Sequence, residues 1–406
     1  MLFRLAFRNI FRQRRRTVLT TMSMTAGYVL CTFAISMQYG SYGGGIEFFV
    51  RDHTTHVQVH RGDYLKRPKL QKTISDPTPL IERLSSDPFV ESFTLRVFAP
   101  AIAYSNDKSS PAYIQGVDPE RERATTTLEE KVSDGGYFSP KPDADGYFEA
   151  MIGRGIADLL GIGVGDELIL ISSGADGSIA NDIFIVSGLI GDQRSPDRLN
   201  VYLPLRGAQQ FLSMGSRVHQ IGIMLQNNSR TIEYSDSLQA GIDPDLTADP
   251  WQRVQESFYK TMVADMQGMY VTLGIIVLIV CIGVLNTVLM SVLERTREFG
   301  VLRAIGTKPL NIARMVFLEN LMLSTMSCLI GFLIALPLLL WLSNVGIVMP
   351  EPIDIGGVMM SHMKGEFSAR AFLIPLAFVV VTALIVCIPP GLRAARVSPV
   401  KAMSAH

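Results

Sequence analysis

Glycine-rich segments are the first features of this chain that could support chemistry, because glycine turns bind phosphate groups. The segment 156–170, IADLLGIGVGDELIL, places three glycines after a helix-like stretch and before a strand-like one. A dinucleotide site needs the opposite order, in which a strand leads into the glycine turn. Gly300 and Gly306 precede a Thr-Lys pair without the spacing or residue order of a phosphate-binding loop. We predict no catalytic residue, no nucleotide site and no cofactor in this chain.

Three histidines, His53, His56 and His60, are the candidates for a metal site. On a strand, His56 and His60 would share one face with Gln58. A zinc site needs further ligands in a tight arrangement, and the chain has no cysteine near this segment. We therefore predict no metal site and interpret the histidines as part of an exposed strand face.

The densest alternation of Arg and Glu occurs in 291–310, SVLERTREFGVLRAIGTKPL. Glu294 and Arg297 are three residues apart, as are Arg295 and Glu298, so a helix would bring each pair together. This spacing predicts a short helix with ion pairs along one side.

The same segment carries an apolar stripe formed by Phe299, Leu302 and Ile305. Gly306 is placed to end the helix and Thr307 to cap the next one, with a proline in its first turn. The segment is therefore expected to be a short amphipathic helix rather than a solvated loop whose charges only set the topology.

Long apolar blocks surround this segment. The chain has 406 residues, of which 48% are hydrophobic and 18% charged, and its formal net charge is zero, which gives no reason to expect a nucleic-acid partner. Each block is about as long as a helix needs to cross a membrane, and each contains one cysteine. The blocks are 17–38, 269–290, 321–342 and 371–390.

Lysine and arginine flanks set the predicted orientation. Basic residues are dense before the first block, between the second and third, and after the fourth. Four spans place these flanks on one side, with both termini cytoplasmic and the segment 39–268 outside. The predicted divisions are an amphipathic basic helix (1–16), a first span (17–38), an outer domain with a stalk (39–268), a second span (269–290), a cytoplasmic helix and loop (291–312), a third span (313–342), a short outer loop (343–370), a fourth span (371–390) and a cytoplasmic tail (391–406).

The outer segment 39–268 is predicted to be an α/β domain of two small lobes. Segments such as SFTLRVFAPAIAY and DIFIVSGLI favour strands, whereas TPLIERLSSDP and GRGIADLLG favour helices. The domain has no cysteine, so a disulfide framework is excluded. Residues 249–268 are expected to form a helix that continues into the second span.

Several of these motifs resemble one family. LERTREFGVLRAIGTKPLNIARMVFLENLMLS closely resembles the hallmark of the FtsX/MacB-type permeases of ABC transporters, and PPGLRAARVSPVKAM resembles their C-terminal end. In the outer domain, HVQVHRGDY, YIQGVDPERE and IGRGIADLLGIGVGDELILIS are similar to the LolC/LolE lipoprotein-releasing branch. The resemblance implies an α-helical membrane protein with four transmembrane helices and a MacB-like periplasmic domain.

The resemblance also implies partners. Two permeases, identical or paralogous, would pair in a bacterial inner membrane, and each would bind one cytoplasmic ATPase that holds ATP and magnesium. The short helix would dock in that ATPase, and membrane lipids would surround the spans. The coupling role is then assigned to Glu294, Arg295, Arg297, Glu298, Phe299, Gly300, Arg303 and Gly306.

Two further sites follow from the resemblance. Cargo would enter laterally between the first two spans of the dimer, near Met37 and Tyr270. A periplasmic lipoprotein carrier or adaptor would meet a protruding loop, whose counterpart here, 172–182, is short and has neither proline nor aromatic residues. The candidate loop residues are Ser172, Ser173, Gly174, Asp176, Asn181 and Asp182.

Three functions remain open from the sequence. The first is release of lipoproteins or other lipid-anchored cargo from the membrane. The second is efflux of peptides, antibiotics or glycolipids together with a periplasmic adaptor. The third is regulation of a periplasmic hydrolase, as FtsX performs, for which the outer domain is unusually large.

Overall fold

The computed structural model describes residues 14–193, 195–355 and 358–397. The predicted basic helix 1–16 and the last part of the tail fall largely outside these residues. The chain divides into a helical unit, formed by 1–45, 261–353 and 359–406, and an α/β unit, formed by 46–260 and 354–358.

Helices and strands are numbered here along the described chain. The helices are α1 (Arg14–Phe49), α2 (Thr78–Ser86), α3 (Pro119–Thr125), α4 (Arg154–Leu160), α5 (Leu205–Phe211), α6 (Thr231–Gln239), α7 (Trp251–Val254), α8 (Glu256–Glu294), α9 (Thr296–Ala304), α10 (Pro309–Asn344) and α11 (Ala369–Ala395). The strands are β1 (Val57–Arg61), β2 (Val90–Ser105), β3 (Lys108–Val117), β4 (Val132–Gly135), β5 (Phe148–Gly153), β6 (Glu167–Ser173), β7 (Ile179–Ile190), β8 (Asn200–Pro204), β9 (Gln220–Leu225), β10 (Leu246–Pro250), β11 (Ile347–Ile355) and β12 (Val358–Met363).

Four helices of the described chain are long and apolar enough to cross a membrane: α1, α8, α10 and α11. Each predicted span lies within one of these helices. Between α10 and α11, where the sequence predicts only a loop, β11 and β12 form a two-stranded sheet.

Helix α1 has the lowest mean hydropathy of the four. Several of its polar side chains face other helices. Thr25 Oγ1 donates a hydrogen bond to the Ser327 carbonyl at 3.0 Å, and Tyr28 Oη donates to the Phe372 carbonyl at 3.3 Å. Hydroxyl groups commonly bond across helices in this way inside a membrane. The Thr and Ser residues that weaken the first apolar block are therefore part of the helix packing.

The α/β unit is built on one hydrogen-bonded sheet. Its main path runs β10-β1-β9-β2-β3-β8-β5-β7-β4, and β6 pairs with β2 and β7. Most pairs are antiparallel, whereas β3–β8 and β5–β7 are parallel. The sheet carries a large apolar core and a smaller cluster around Met151 and Tyr202. The α/β class agrees with the sequence, and the division into two lobes stays a prediction.

The predicted stalk helix differs from the structure at its start. Residues 249–250 belong to β10, where Asp249 pairs with Gln58 of β1. The short helix α7 follows and ends at Val254, and the next residue, Gln255, has φ and ψ of −115° and 58°. The long helix α8 begins only at Glu256. A helix from residue 249 is therefore wrong, because the ladder with β1 holds the first two residues extended.

The prediction that the histidines lie on an exposed strand face is also wrong. Strand β1 lies between β10 and β9, and both His56 and His60 are 1% exposed. The Leu225 amide donates to His56 Nδ1 at 2.9 Å, and His60 Nε2 lies 2.9 Å from Gln58 Oε1. These histidines are buried structural residues.

Candidate functional site

The break between α8 and α9 is the centre of the predicted coupling segment. Helix α8 ends at Glu294, and Arg295, with φ and ψ of −97° and 12°, separates it from α9. From this position Arg295 Nη1 donates to both Glu319 oxygens, at 2.8 and 3.1 Å, and its Nε donates to Glu298 Oε2 at 3.1 Å. Because Glu319 belongs to α10, one guanidinium joins three helices.

This ion pair is shielded from solvent. The side chains of Arg295 and Glu319 are only 11% and 12% exposed. Burial acts to lower the pKa of Arg295, but the attraction of Glu319 and Glu298 outweighs it, so the pKa is raised above its usual value. The guanidinium carbon also lies 5.2 Å from the centroid of the Phe299 ring. The charge is therefore held in place from several sides.

The predicted pair between Arg295 and Glu298 is confirmed. Sequence reasoning missed Glu319, because a partner 24 residues away lies beyond any helical spacing rule. The available signal was the single acidic residue of α10, next to a long apolar stretch.

Helix α9 has a buried side and an exposed side. Phe299 is 1% exposed and Gly300 is buried, so both face the helical unit. Val301 and Ile305 are 43% and 78% exposed. Of the predicted stripe of Phe299, Leu302 and Ile305, the first two pack against the helical unit. The stripe is wrong at its end, because α9 stops at Ala304 and Ile305 lies outside it.

The turn after α9 matches the prediction at two of three positions. Gly306 has φ +96°, a conformation that favours glycine. The proline of the next helix stands in its first turn. Thr307, however, is not the cap: Lys308 occupies that position and makes no side-chain capping bond.

The remaining predicted coupling residues divide by exposure. Glu294 and Arg297 are exposed, and Arg303 is half-buried. Leu310, in the first turn of α10, is 59% exposed and was not predicted. The surface formed by Glu294, Arg297, Val301, Ile305 and Leu310 thus combines charged and apolar side chains; we call it the α9 surface.

Helices α1 and α8 run side by side, and small residues allow this approach. A methyl group on Gly27 would overlap Val280, and one on Gly283 would lie 2.9 Å from Ser23 Oγ. Further along, Tyr42 Oη donates to Asp265 Oδ2 at 2.7 Å. These contacts define an antiparallel register.

The two candidate entrance residues lie between these contacts. In that register, Met37 on α1 falls at the level of Tyr270 on α8. Met37 is half-buried and Tyr270 is 58% exposed. The two predicted residues therefore lie at one level of the α1–α8 pair.

The candidate partner loop is shorter than predicted. Ser172 and Ser173 end β6, and Asn181 and Asp182 lie within β7. Only residues 174–178 form the turn, which Asp176 closes by accepting hydrogen bonds from the amide and hydroxyl of Ser178. The predicted loop is therefore a β-hairpin with a tight turn.

One face of the sheet beside this hairpin is apolar and open. Cross-strand pairs place Ile102 of β2 beside Ile171 of β6 and beside Pro111 of β3. On this face, β2 from Phe98 to Tyr104 and its paired positions on β3, β6 and β7 carry no charged side chain. Its exposed members include Ile102 (52%), Tyr104 (36%), Tyr113 (42%), Ile171 (38%) and Ile179 (83%).

This open face, called here the β-hairpin face, is unusual for a soluble surface, where continuous apolar patches mark interaction sites. Among the described residues, no cluster of His, Cys, Asp or Glu is arranged to hold a metal ion.

Comparison with known proteins places this architecture in a family. The MacB-like periplasmic core domain profile matches residues 17–240, and the FtsX-like permease C-terminal profile matches residues 270–399. The periplasmic region of MacB from Actinobacillus actinomycetemcomitans aligns with a TM-score of 0.37 and 17% identity, covering 53% of this chain and 97% of that one.

Curated relatives carry several names. LolE, a lipoprotein-releasing system transmembrane protein of Haemophilus influenzae, is 21% identical over 86% of each chain. The pyoverdine export protein PvdT of Pseudomonas entomophila is 27% identical over 68% of this chain, which spans only 40% of its length. A macrolide export protein, MacB 2 of Aeromonas hydrophila, is 23% identical over 99% of this chain and 60% of its own length.

The chain also spans just 58% of the length of LolC from Xylella fastidiosa. The profile matches nevertheless cover both the α/β unit and the coupling segment, and one of them alone extends over more than half of the sequence. The chain belongs to the FtsX/MacB family of ABC transporter permeases.

Proposed function

We propose that this chain is the permease subunit of an ABC transporter in a bacterial inner membrane, with both termini cytoplasmic and the α/β unit in the periplasm. A separate ATPase, two copies per complex, would bind the α9 surface and supply ATP hydrolysis with magnesium. A second permease, identical or paralogous, would complete the complex.

One observation carries this proposal. Helix α9 is fixed to α8 and α10 through Arg295, while Val301 on α9 and Ile305 directly after it are exposed. Exposed apolar residues next to charges suit a protein interface. A buried ion pair at the base suits a segment that must transmit force without detaching from its neighbours.

The geometry supports a direct route for motion. A displacement of α9 acts on the Arg295 guanidinium, which pulls on Glu319 of α10 and on the end of α8. Helix α8 continues without a break from Glu294 back to Glu256, where residues of the α/β unit begin. Work done by an ATPase on α9 would thus reach the periplasmic side through one continuous helix.

The proposed cargo is a lipoprotein or another lipid-anchored molecule. Support comes from LolE, which matches 86% of this chain and is itself matched over 86% of its length. We place the cargo's entrance at the α1–α8 pair because Met37 and Tyr270 lie there at one level, and Tyr270 is 58% exposed.

Photo-crosslinking tests the cargo. A crosslinker at Met37 or Tyr270 in native membranes should capture acylated proteins. The same crosslinker at Leu333, which is 70% exposed on α10, serves as the control for general lipid contact. Equal capture at Leu333, or capture of no acylated protein at Met37 or Tyr270, would refute this cargo.

Efflux of a small molecule is the second candidate. MacB 2 of Aeromonas hydrophila, named for macrolide export, aligns with 99% of this chain. Deletion of the gene should then sensitise cells to one compound without changing where lipoproteins are found. In both cases, the β-hairpin face is the proposed contact for a periplasmic carrier or adaptor, because it is apolar, uncharged and open.

A further inference from the structure

Helix α1 contains a glycine-rich segment, GSYGGG at 40–45, within its helical range. Glycine is the least favourable residue in a helix interior after proline, since it loses the most conformational freedom on folding. Four glycines in six residues therefore mark a weak part of a long helix unless packing requires them.

Packing requires a glycine at position 40 but not at positions 43 and 44. A methyl group on Gly40 would overlap the backbone of Lys364 and Glu366, so a larger residue does not fit there. Gly43 and Gly44 are exposed, and a methyl group at either would meet no described atom within 4 Å. Neither has a positive φ that would favour glycine. Neither packing nor backbone conformation accounts for these two residues.

The helix is anchored before this segment. Ser36 Oγ donates to the Glu366 carbonyl at 2.9 Å, and the Glu366 amide donates to the Ser36 carbonyl, also at 2.9 Å. Tyr42 donates to Asp265 of α8 at 2.7 Å. The part of α1 up to Tyr42 is therefore tied to the helical unit.

The chain is anchored again after it, within the α/β unit. Arg51 donates to both oxygens of Glu91, at 2.9 and 3.1 Å. Lys131 Nζ lies 2.7 Å from both Asp52 Oδ1 and Asp197 Oδ2, and these two carboxylates are 8% and 7% exposed. Arg51 and Asp52 lie in a π-helical turn, Val50–Thr54, that directly follows α1.

We infer that Gly43 and Gly44 form a flexible joint in α1, between an end fixed to the helical unit and an end fixed to the α/β unit. The division between the two units falls at residues 45 and 46, directly after this pair. Helix α1 bends at this joint. The role of this bend in transport rests on the proposed function. The flexibility of the segment does not, because it requires no ATPase.

Hydrogen exchange of the full chain in lipid nanodiscs, without nucleotide, tests the joint. Backbone amides of 44–48 should exchange much faster than those of 31–36 in the same helix. The double variant Gly43→Ala/Gly44→Ala should slow exchange at 44–48 by about tenfold or more, because alanine is the better helix former at each position.

A matched control uses α8, where Gly268 and Gly274 also have open space around them. Gly268→Ala/Gly274→Ala adds the same two methyl groups to a helix and should leave exchange at 44–48 unchanged. The joint is refuted if the native segment is as well protected as 31–36, or if the alanine pair changes nothing. Failure of an ATPase to bind the chain would refute the proposed function and leave this exchange result standing.

Discussion

Arg295 and Glu319 form a nearly buried ion pair across 24 residues of sequence, and this pair fixes α9 to α10. Breaking one partner of a buried pair leaves the other charge desolvated and uncompensated, which costs more than the pair itself contributes. Each charge therefore requires the other, and we propose that motion passes from α9 to α10 through this pair.

Glu319→Gln should destabilise the helical unit by about 2 kcal/mol, because Arg295 then loses one of the two carboxylates that it contacts among the described residues. Thermal unfolding in detergent measures the change. Glu256→Gln is the control, since it breaks an exposed pair with Lys260 and should change stability by less than about 1 kcal/mol. The double variant Arg295→Met/Glu319→Leu should recover most of the loss; no recovery would mean that the charges are needed for more than mutual compensation.

Ile305→Asp should weaken ATPase binding by about tenfold or more, because it places a charge where an apolar side chain would be buried. Folding should be unaffected, since Ile305 is 78% exposed. Binding of the purified ATPase to the chain in nanodiscs gives the dissociation constant. An unchanged constant would show that the ATPase binds elsewhere.

Ile179→Asp should weaken binding of a periplasmic partner and leave ATPase binding unchanged, the opposite of Ile305→Asp. The substitution charges the β-hairpin face at a residue that is 83% exposed, so it should reduce capture of a periplasmic carrier or adaptor and spare ATPase binding. Each of the two Ile→Asp variants is the control for the other. If Ile179→Asp keeps full capture of its periplasmic partner, the face has another role.

The α/β unit should lose stability in mild acid. Burial lowers the pKa of His60 to about 4; the hydrogen bond to the His219 carbonyl opposes this shift, whereas the electrostatic influence of His219 and Arg96 adds to it. The unfolded chain, with a histidine pKa of about 6.5, binds a proton that the folded chain does not, so stability falls as the pH drops from about 6.5 toward 4. The loss from His60 between pH 7.5 and 5 is about 2 kcal/mol.

Denaturant unfolding followed by the fluorescence of Trp251, which is buried in the same unit, measures this loss. His60→Gln should flatten the dependence on pH, although His56 and His219, whose pKa values burial also lowers, retain part of it. A native chain that is equally stable at pH 5 and 7.5 would contradict the prediction.

Local patterns in the sequence predicted much of this structure. The apolar blocks, the strand-like segments and the Gly306 turn all follow rules that act over a few residues. Glu319 and the buried His56 and His60 do not, because their environments depend on which distant segments pack beside them. The hairpin at 172–182 was predicted as a loop because polar residues there hide the alternation that β6 and β7 share.

The central claim is that α9 transmits motion from the ATPase to the rest of the chain. Site-directed crosslinking tests this claim most directly. The four native cysteines lie within the long apolar helices, so a cysteine at Ile305 is distinct from them. In membranes that contain the complete complex, Ile305→Cys should crosslink to one site on the ATPase, and the link should abolish ATP-driven work while Leu333→Cys, on α10, gives no such product. Absence of an Ile305 crosslink in a complex that hydrolyses ATP and performs its work would contradict the account.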